Sequence, residues 1–180
     1  MATHIVLLRG INLGSRNRVA MPELRQLLEG AGFGDVRTYL QSGNVVLSSR
    51  FGADRVARAC EQRIASRFGF DITVLVRARS ELAAIVKRNP LGKVALDPKR
   101  YQVTFLASEL ESEVLRKLEV AAVAPERFVV VGRELYAWHP AGVARSNLWA
   151  QLGGTGLGVA ATSRNWTTVT NLLALASSRL

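Results

Sequence analysis

Between residues 4 and 77 the apolar pattern switches between strand-like and helix-like periods in an order that few folds accommodate. His4 to Arg9 is a continuous apolar run, which reads as a strand buried on both faces. Pro22 sits at a first helical position, and Leu24, Leu27, Leu28 and Ala31 share one face of the helix it opens. Gly32 is its expected stop. Residues 35 to 40 and 44 to 49 read as two strands joined by Ser42 and Gly43, a hairpin. A second helix from Asp54 to Phe68 turns Val56, Ala59, Cys60, Ile64 and Phe68 inward and leaves Asp54, Arg58 and Glu61 to solvent. Gly69 closes it, and Asp71 to Arg77 forms a further strand. The order βαββαβ is the split βαβ, ferredoxin-like arrangement, with four strands and both helices on one face.

The second half echoes the first without sequence repetition. Ser80 caps a short helix that stops at Asn89 and Pro90, and the segment from Asn89 to Arg100, with its Pro, Gly and charges, is expected to be mobile. Tyr101 to Ala107 reads as a strand, and Ser108 with Glu111 has the spacing of a capping box for a helix to Val123. Arg127 to Val131 and Glu134 to Trp138 form a hairpin around Gly132 and Arg133. A short helix is expected near Arg145 to Leu152, and a closing helix from Ser163 or Arg164 to Ser177. The expected fold class is α+β, two ferredoxin-like-type α/β subdomains, residues 1–78 with βαββαβ order and residues 79–180 with the closing helix.

Charge narrows the partners. The 180 residues carry 24 Lys and Arg against 14 Asp and Glu, a net charge of +10, which favours a polyanionic partner. All but four of the basic residues are Arg in a chain rich in Ala, Val and Gly, a bias that genome composition also produces. Distribution says more. Residues 1–22 and 135–180 contain no Asp or Glu, yet carry Arg9, Arg16, Arg18, Arg145, Arg164 and Arg179. One cysteine excludes an internal disulfide, and two distant histidines make no metal site. Without a long apolar segment, the chain reads as cytoplasmic, with no membrane partner.

Three stretches carry candidate chemistry. Arg9-Gly10-Ile11-Asn12, continuing to Asn17 and Arg18, combines glycines, amides and guanidinium groups, the ingredients of an anion cradle. It is neither a Walker loop nor a dinucleotide fingerprint, so no cofactor is implied. The turn Gln41-Ser42-Gly43-Asn44 offers polar groups, although Ser42 lacks a hydrolase elbow and a histidine to serve it. In Thr162-Ser163-Arg164-Asn165, a helix start would carry an Arg where acids are usual, tolerable with an anion between the guanidinium and the free N–H groups. Trp166 reads as a core anchor and Cys60 as a small core residue. His4 and His139 have no evident partners.

The segments LLRGINLGSRNRVAMPELRQLLEGAGFGDVRTYLQSGNVVLSS, ERFVVVGRELYAWHPAGVARSNL and VAATSRNWTTVTNLLALA together resemble the bacterial family known as domain of unknown function 1697. The resemblance spans nearly the whole chain and implies two α+β subdomains. It brings no reaction with it. Its motifs fall on Arg9, Gly10, Ile11 and Asn12, on Gln41, Ser42, Gly43 and Asn44, and on Thr162, Arg164, Asn165 and Trp166. The chain departs at Ser15, where the family usually has glycine, and at Asn147 and Asn171, where lysine is common.

The first expectation is therefore a domain that binds, or acts on, a phosphorylated or otherwise anionic ligand such as a nucleotide or nucleic acid. Its ligand-binding residues would be Arg9, Asn12, Asn17, Gln41, Ser42, Asn44, Thr162, Arg164 and Asn165, with the first and last motifs converging on one concavity. The alternatives are a small-molecule enzyme using the Gln41–Asn44 turn, whose general base would have to be Glu23 or Asp35, and a basic protein-interaction module. Oligomeric state is not fixed by the sequence.

Overall fold

The computed structural model describes residues 1–153 and 155–178, and these divide into two units: 1–84 with the chain from Asn171 onward, and 85–170. Arg179, counted above among the basic residues of the acid-free ends, lies outside the described residues.

The first unit follows the expected order: β1 (Ala2–Leu8), α1 (Met21–Gly30), β2 (Gly34–Tyr39), β3 (Asn44–Ser49), α2 (Ala53–Phe68) and β4 (Val74–Ala78). The sheet is β2-β3-β1-β4, antiparallel throughout. Central β1 pairs Val6 with Val45 and with Val76. Val6, Leu8, Val45, Leu47, Val74 and Val76 form one sheet face, packed with Leu24 and Leu28 of α1 and Val56, Cys60 and Ile64 of α2. The opposite face, with Ile5, Leu7, Val46 and Leu75, is buried as well. That explains why β1 reads as an unbroken apolar run.

Glu61 departs from expectation. It is half-buried rather than solvent-facing, because its carboxylate accepts a 2.9 Å hydrogen bond from the Val74 amide and ties α2 to the edge strand β4. Asp54 and Arg58 do face solvent, and Gly69 ends α2 in the left-handed conformation. Helix α3 (Arg79–Arg88) follows, and the division between units falls within it.

The second unit repeats the plan: β5 (Tyr101–Leu106), α4 (Ser112–Ala121), β6 (Arg127–Val131), β7 (Glu134–Trp138), α5 (Asn147–Leu152), β8 (Ala161–Asn165) and then α6 (Trp166–Ser177). Its sheet order, β6-β7-β5-β8, matches that of the first. Leu106, Leu118, Leu135, Ala137, Leu148, Leu152, Leu157 and Ala161 make its core.

Three expectations need correction here. Residues 161–165 are the fourth strand, not the start of the closing helix: Ala161 pairs with Leu106 and Arg164 with Val103, and helical geometry begins at Trp166. The signal was weak, since Ala-Thr-Ser-Arg-Asn has no apolar alternation and becomes a strand by pairing with β5. At α4 the N-cap is Glu111, without a side-chain cap, so Ser108 does not form the capping box. The sequence also placed the closing helix wholly in residues 79–180, whereas its part from Asn171 groups with the first unit. There Asn171 donates to the Tyr39 hydroxyl at 2.8 Å, and Arg37 donates to the Ser178 hydroxyl at 2.9 Å. The segment 89–100, expected to be mobile, is a run of turns in which Leu91 and Ala95 are buried.

Gly43 provides a direct test of the packing at the end of β1. Its φ is +78°, its carbonyl accepts the Leu8 amide at 2.8 Å, and a Cβ there would stand 2.7 Å from Leu8 Cβ. Gly43→Ala combines left-handed strain with overpacking, and an equilibrium urea titration is expected to show a loss of about 3 kcal/mol. An unchanged midpoint would mean that this turn is not fixed as described.

Candidate functional site

The chain leaves β1 at Leu8 and must turn sharply while keeping its polar groups bonded. The Arg9 amide donates to the Thr73 carbonyl at 2.9 Å, which fixes the exit. Beyond it, Gly10, Asn12, Gly14 and Asn17 all take positive φ. Asn tolerates that region because its short side chain bonds locally. The Asn12 amide group donates to the Val19 carbonyl at 2.9 Å and to the Gln41 carbonyl at 2.7 Å, and its oxygen accepts the Val19 amide at 2.8 Å. Asn17 donates to the Gly10 carbonyl at 3.1 Å. One asparagine closes the neck of the loop and the other braces its interior.

The structure thus brings the first two motifs together. Asn12 reaches the backbone of Gln41, while Asn44, fully buried, donates to the Tyr39 carbonyl at 3.1 Å and to the Ser42 hydroxyl at 2.9 Å. Asn12, Asn17 and Asn44 hold backbone, and the side chains of Gln41 and Ser42 are exposed on the turn. Arg9 is half-buried, whereas Arg16 and Arg18 are exposed, and none of the three makes an ion pair among the described residues. The result is a braced loop presenting three guanidinium groups.

Thr162, Arg164 and Asn165 belong to the second unit and are described within it. Arg164 lies on β8 and is buried, donating to the Thr162 hydroxyl at 2.7 Å and to the Ser163 carbonyl at 2.8 Å. Burial lowers its pKa to about 10. A guanidinium held inside its own strand is not the helix-start cation that the sequence suggested. Asn165 serves that start instead: its side-chain oxygen accepts the Thr168 amide at 2.9 Å, capping α6. Trp166 stacks on Tyr101 with ring centroids 4.8 Å apart, in keeping with an anchoring role.

Cys60 is fully buried, and burial, with Glu61 nearby, pushes its thiol up to about 12, so it stays protonated and inert. Among the described residues no group of three or more His, Cys, Asp or Glu is placed to hold a metal ion, and no helix is long and apolar enough to cross a membrane.

Sequence reasoning missed the partners of His139, because they come from separate segments. Its Nδ1 lies 2.9 Å from the Ser146 hydroxyl and 3.2 Å from a Glu126 carboxylate oxygen. A Ser, a His and a Glu invite a catalytic reading, but the geometry refuses it. Both partners share one ring nitrogen, whereas a relay needs one on each. The ring is fully buried and its Nε2 has no hydrogen-bond partner among the described residues. A proton on Nδ1 satisfies both acceptors and leaves an unprotonated Nε2 in the apolar interior, the less costly arrangement. Ser146 itself accepts the Trp149 amide and caps α5.

Two measurements probe these assignments. Asn12→Ala removes three hydrogen bonds at the loop neck and is expected to cost about 2–3 kcal/mol in urea unfolding, whereas Arg16→Ala should leave stability unchanged. For His139, desolvation outweighs Glu126 and lowers the folded pKa below 6.5. The unfolded chain therefore takes up the proton first. Stability contributed by the neutral ring is complete above about pH 6.5 and declines as pH falls below it, by about 1.4 kcal/mol for each unit of lowering. Urea unfolding between pH 7.5 and pH 5.5 should show that decline, and His139→Gln should flatten it.

Comparison with known proteins bears on the fold and the family. No curated protein matches the chain. Among solved structures, a conserved bacterial protein, SP0830 from Streptococcus pneumoniae, is similar over 98% of this chain and 99% of that one, with a TM-score of 0.78 and 21% identity. That likeness is one of fold. The family model described as a protein of unknown function, DUF1697, matches residues 1–136, which include the braced loop, the Gln41–Asn44 turn and the whole of the first βαββαβ order. Because that match covers well over half of the sequence, the chain belongs to the DUF1697 family.

Proposed function

We propose that the protein binds the phosphate backbone of nucleic acid through the loop from Arg9 to Arg18. The observation that carries this reading is the bracing by Asn12 and Asn17, which fixes a loop bearing Arg9, Arg16 and Arg18 in a stretch free of carboxylates. Ordering a loop before its ligand arrives lowers the entropy lost on binding. Arg forks match phosphate oxygens, and unpaired ones lose no internal partner when a phosphate docks. Exposure of Arg16 and Arg18 suits a strand passing over the surface better than an enclosed metabolite. In this reading Arg9, Arg16 and Arg18 touch the ligand and the asparagines position them, with Gln41 and Ser42 at the margin.

The enzyme alternative has less support. The Ser42 hydroxyl accepts from Asn44, and the Asn44 amide also serves the Tyr39 carbonyl. Glu23, one of the two acids considered as a base, pairs with Arg67 between α1 and α2.

Fluorescence anisotropy with a labelled single-stranded oligonucleotide provides the test. Three phosphate contacts predict a slope of about −2 in log affinity against log salt. Replacing Arg9, Arg16 and Arg18 together by Ala should bring that slope near zero while the melting temperature is retained. Absence of binding at low salt, or an unchanged slope in the triple variant, would overturn the reading.

A further inference from the structure

A separate cavity in the first unit carries an inference of its own. It measures about 710 Å³ and lies beside the α1–β2 connection, the end of β3 and the start of α2. Its lining is chemically mixed. Arg50, Arg55, Arg58 and Gln62 supply polar groups, and Phe33, Phe51, Ala31 and Ala59 supply apolar surface. No carboxylate lines it. Asp54 stands in the first turn of α2 but is not part of the lining.

We propose that this cavity binds a small phosphate monoester carrying a flat apolar group, of the size and chemistry of a nucleoside monophosphate. The guanidinium carbon of Arg55 lies 3.7 Å from the centroid of the Phe51 ring and that of Arg50 lies 5.0 Å from it. A guanidinium stacked on a ring leaves its N–H edge free, so Phe51 sets two forks in place without occupying their donors. Both guanidinium groups stand within reach of one ring, and an anion that both meet offsets the repulsion between their like charges. Arg58, one helical turn beyond Asp54 on the exposed face of α2, adds a third cation at the cavity. Among the described residues Arg50, Arg55 and Arg58 have no ion-pair partner.

The chain between Ser49 and α2 is held in place next to this lining. Helix α2 begins after Gly52 with no side-chain cap, and the Ser49 hydroxyl accepts the Phe51 amide at 3.1 Å, which steadies the approach to the helix. The apolar part of the lining is what separates a nucleoside monophosphate from free phosphate. Phe33, with Ala31 and Ala59, gives a flat base or ring an apolar surface to cover, and the volume falls within the range of small-molecule sites. This site uses none of the residues of the Arg9–Arg18 loop.

Calorimetric titration with adenosine 5′-monophosphate, inorganic phosphate and adenosine distinguishes the contributions. The monophosphate should bind tightest, with phosphate and adenosine each weaker because each engages only part of the lining. Arg55→Ala and Arg58→Ala should each weaken it about tenfold. Both side chains are exposed and make no ion pair among the described residues, so Arg58→Ala should keep the melting temperature, and Arg55→Ala should lower it only slightly through the lost contact with Phe51. Arg55→Lys keeps the charge but loses the fork, and should fall between. Arg16→Ala is the control for the loop and should leave monophosphate binding intact. The proposal is overturned if the monophosphate gives no saturable heat at millimolar concentration, or if both alanine variants bind it as the parent does. It is equally overturned if the amide shifts on titration appear away from residues 31–33 and 49–62.

Discussion

The first sheet is organised by a central strand that has no exposed face. Ile5, Val6, Leu7 and Leu8 are essentially solvent-free, and their neighbours on both sides, Val45, Val46 and Leu75 among them, are buried too. Burial of such side chains contributes about 1.5–3 kcal/mol each, so the pairing of β1 between β3 and β4 is the arrangement that the other elements must fit. Polar chemistry is pushed to where the strand ends. The first charged side chain after the run is Arg9, and the amides of Leu8 and Arg9 are already held by Gly43 and Thr73.

That constraint explains why two polar motifs that look functional behave first as joints. The loop after β1 and the turn before β3 meet where the strand emerges, and both adopt backbone conformations that most side chains avoid: Asn12, Asn17, Leu40 and Gly43 all have positive φ. Such conformations persist where surrounding bonds over-determine them. Asn12 supplies those bonds for one segment and Asn44 for the other. The guanidinium groups of the loop are left outside this bonding, so the polar motif separates into a scaffold of amides and a display of cations.

The second unit solves the same problem with different residues. Its central strand β5 is buried from Tyr101 to Leu106, yet it carries Gln102 and Thr104. Thr104 pairs directly with Ser163 across the strands, hydroxyl to hydroxyl at 2.7 Å, and Gln102 donates to the Lys99 carbonyl at 3.1 Å. Polar β8 is thus matched to a partly polar β5. His139 and Ser146 are likewise buried and bonded to one another, and Arg164 lies within β8 itself. Aromatic packing of Tyr101 with Trp166 and Tyr136 completes the opposite face of this sheet.

The sequence by itself determined the elements whose burial repeats with a regular period. The βαββαβ order of the first unit, the inward stripe of α2 and the glycine stops were legible because apolar spacing and positive φ are local properties. The tertiary structure decided what depended on distant partners. Residues 161–165 became a strand because β5 offered an open edge, and Glu61 turned inward because the Val74 amide needed an acceptor. Asn12 became a clasp because the Gln41 carbonyl stands beside it, 29 residues away in the chain. The lining of the cavity was illegible for the same reason: Phe33 follows α1, Arg50 and Phe51 follow β3, and Arg55 and Arg58 belong to α2. Spacing along a chain encodes which face a side chain takes, whereas hydrogen bonds and clustered charges are fixed by which segments the folded core brings within reach.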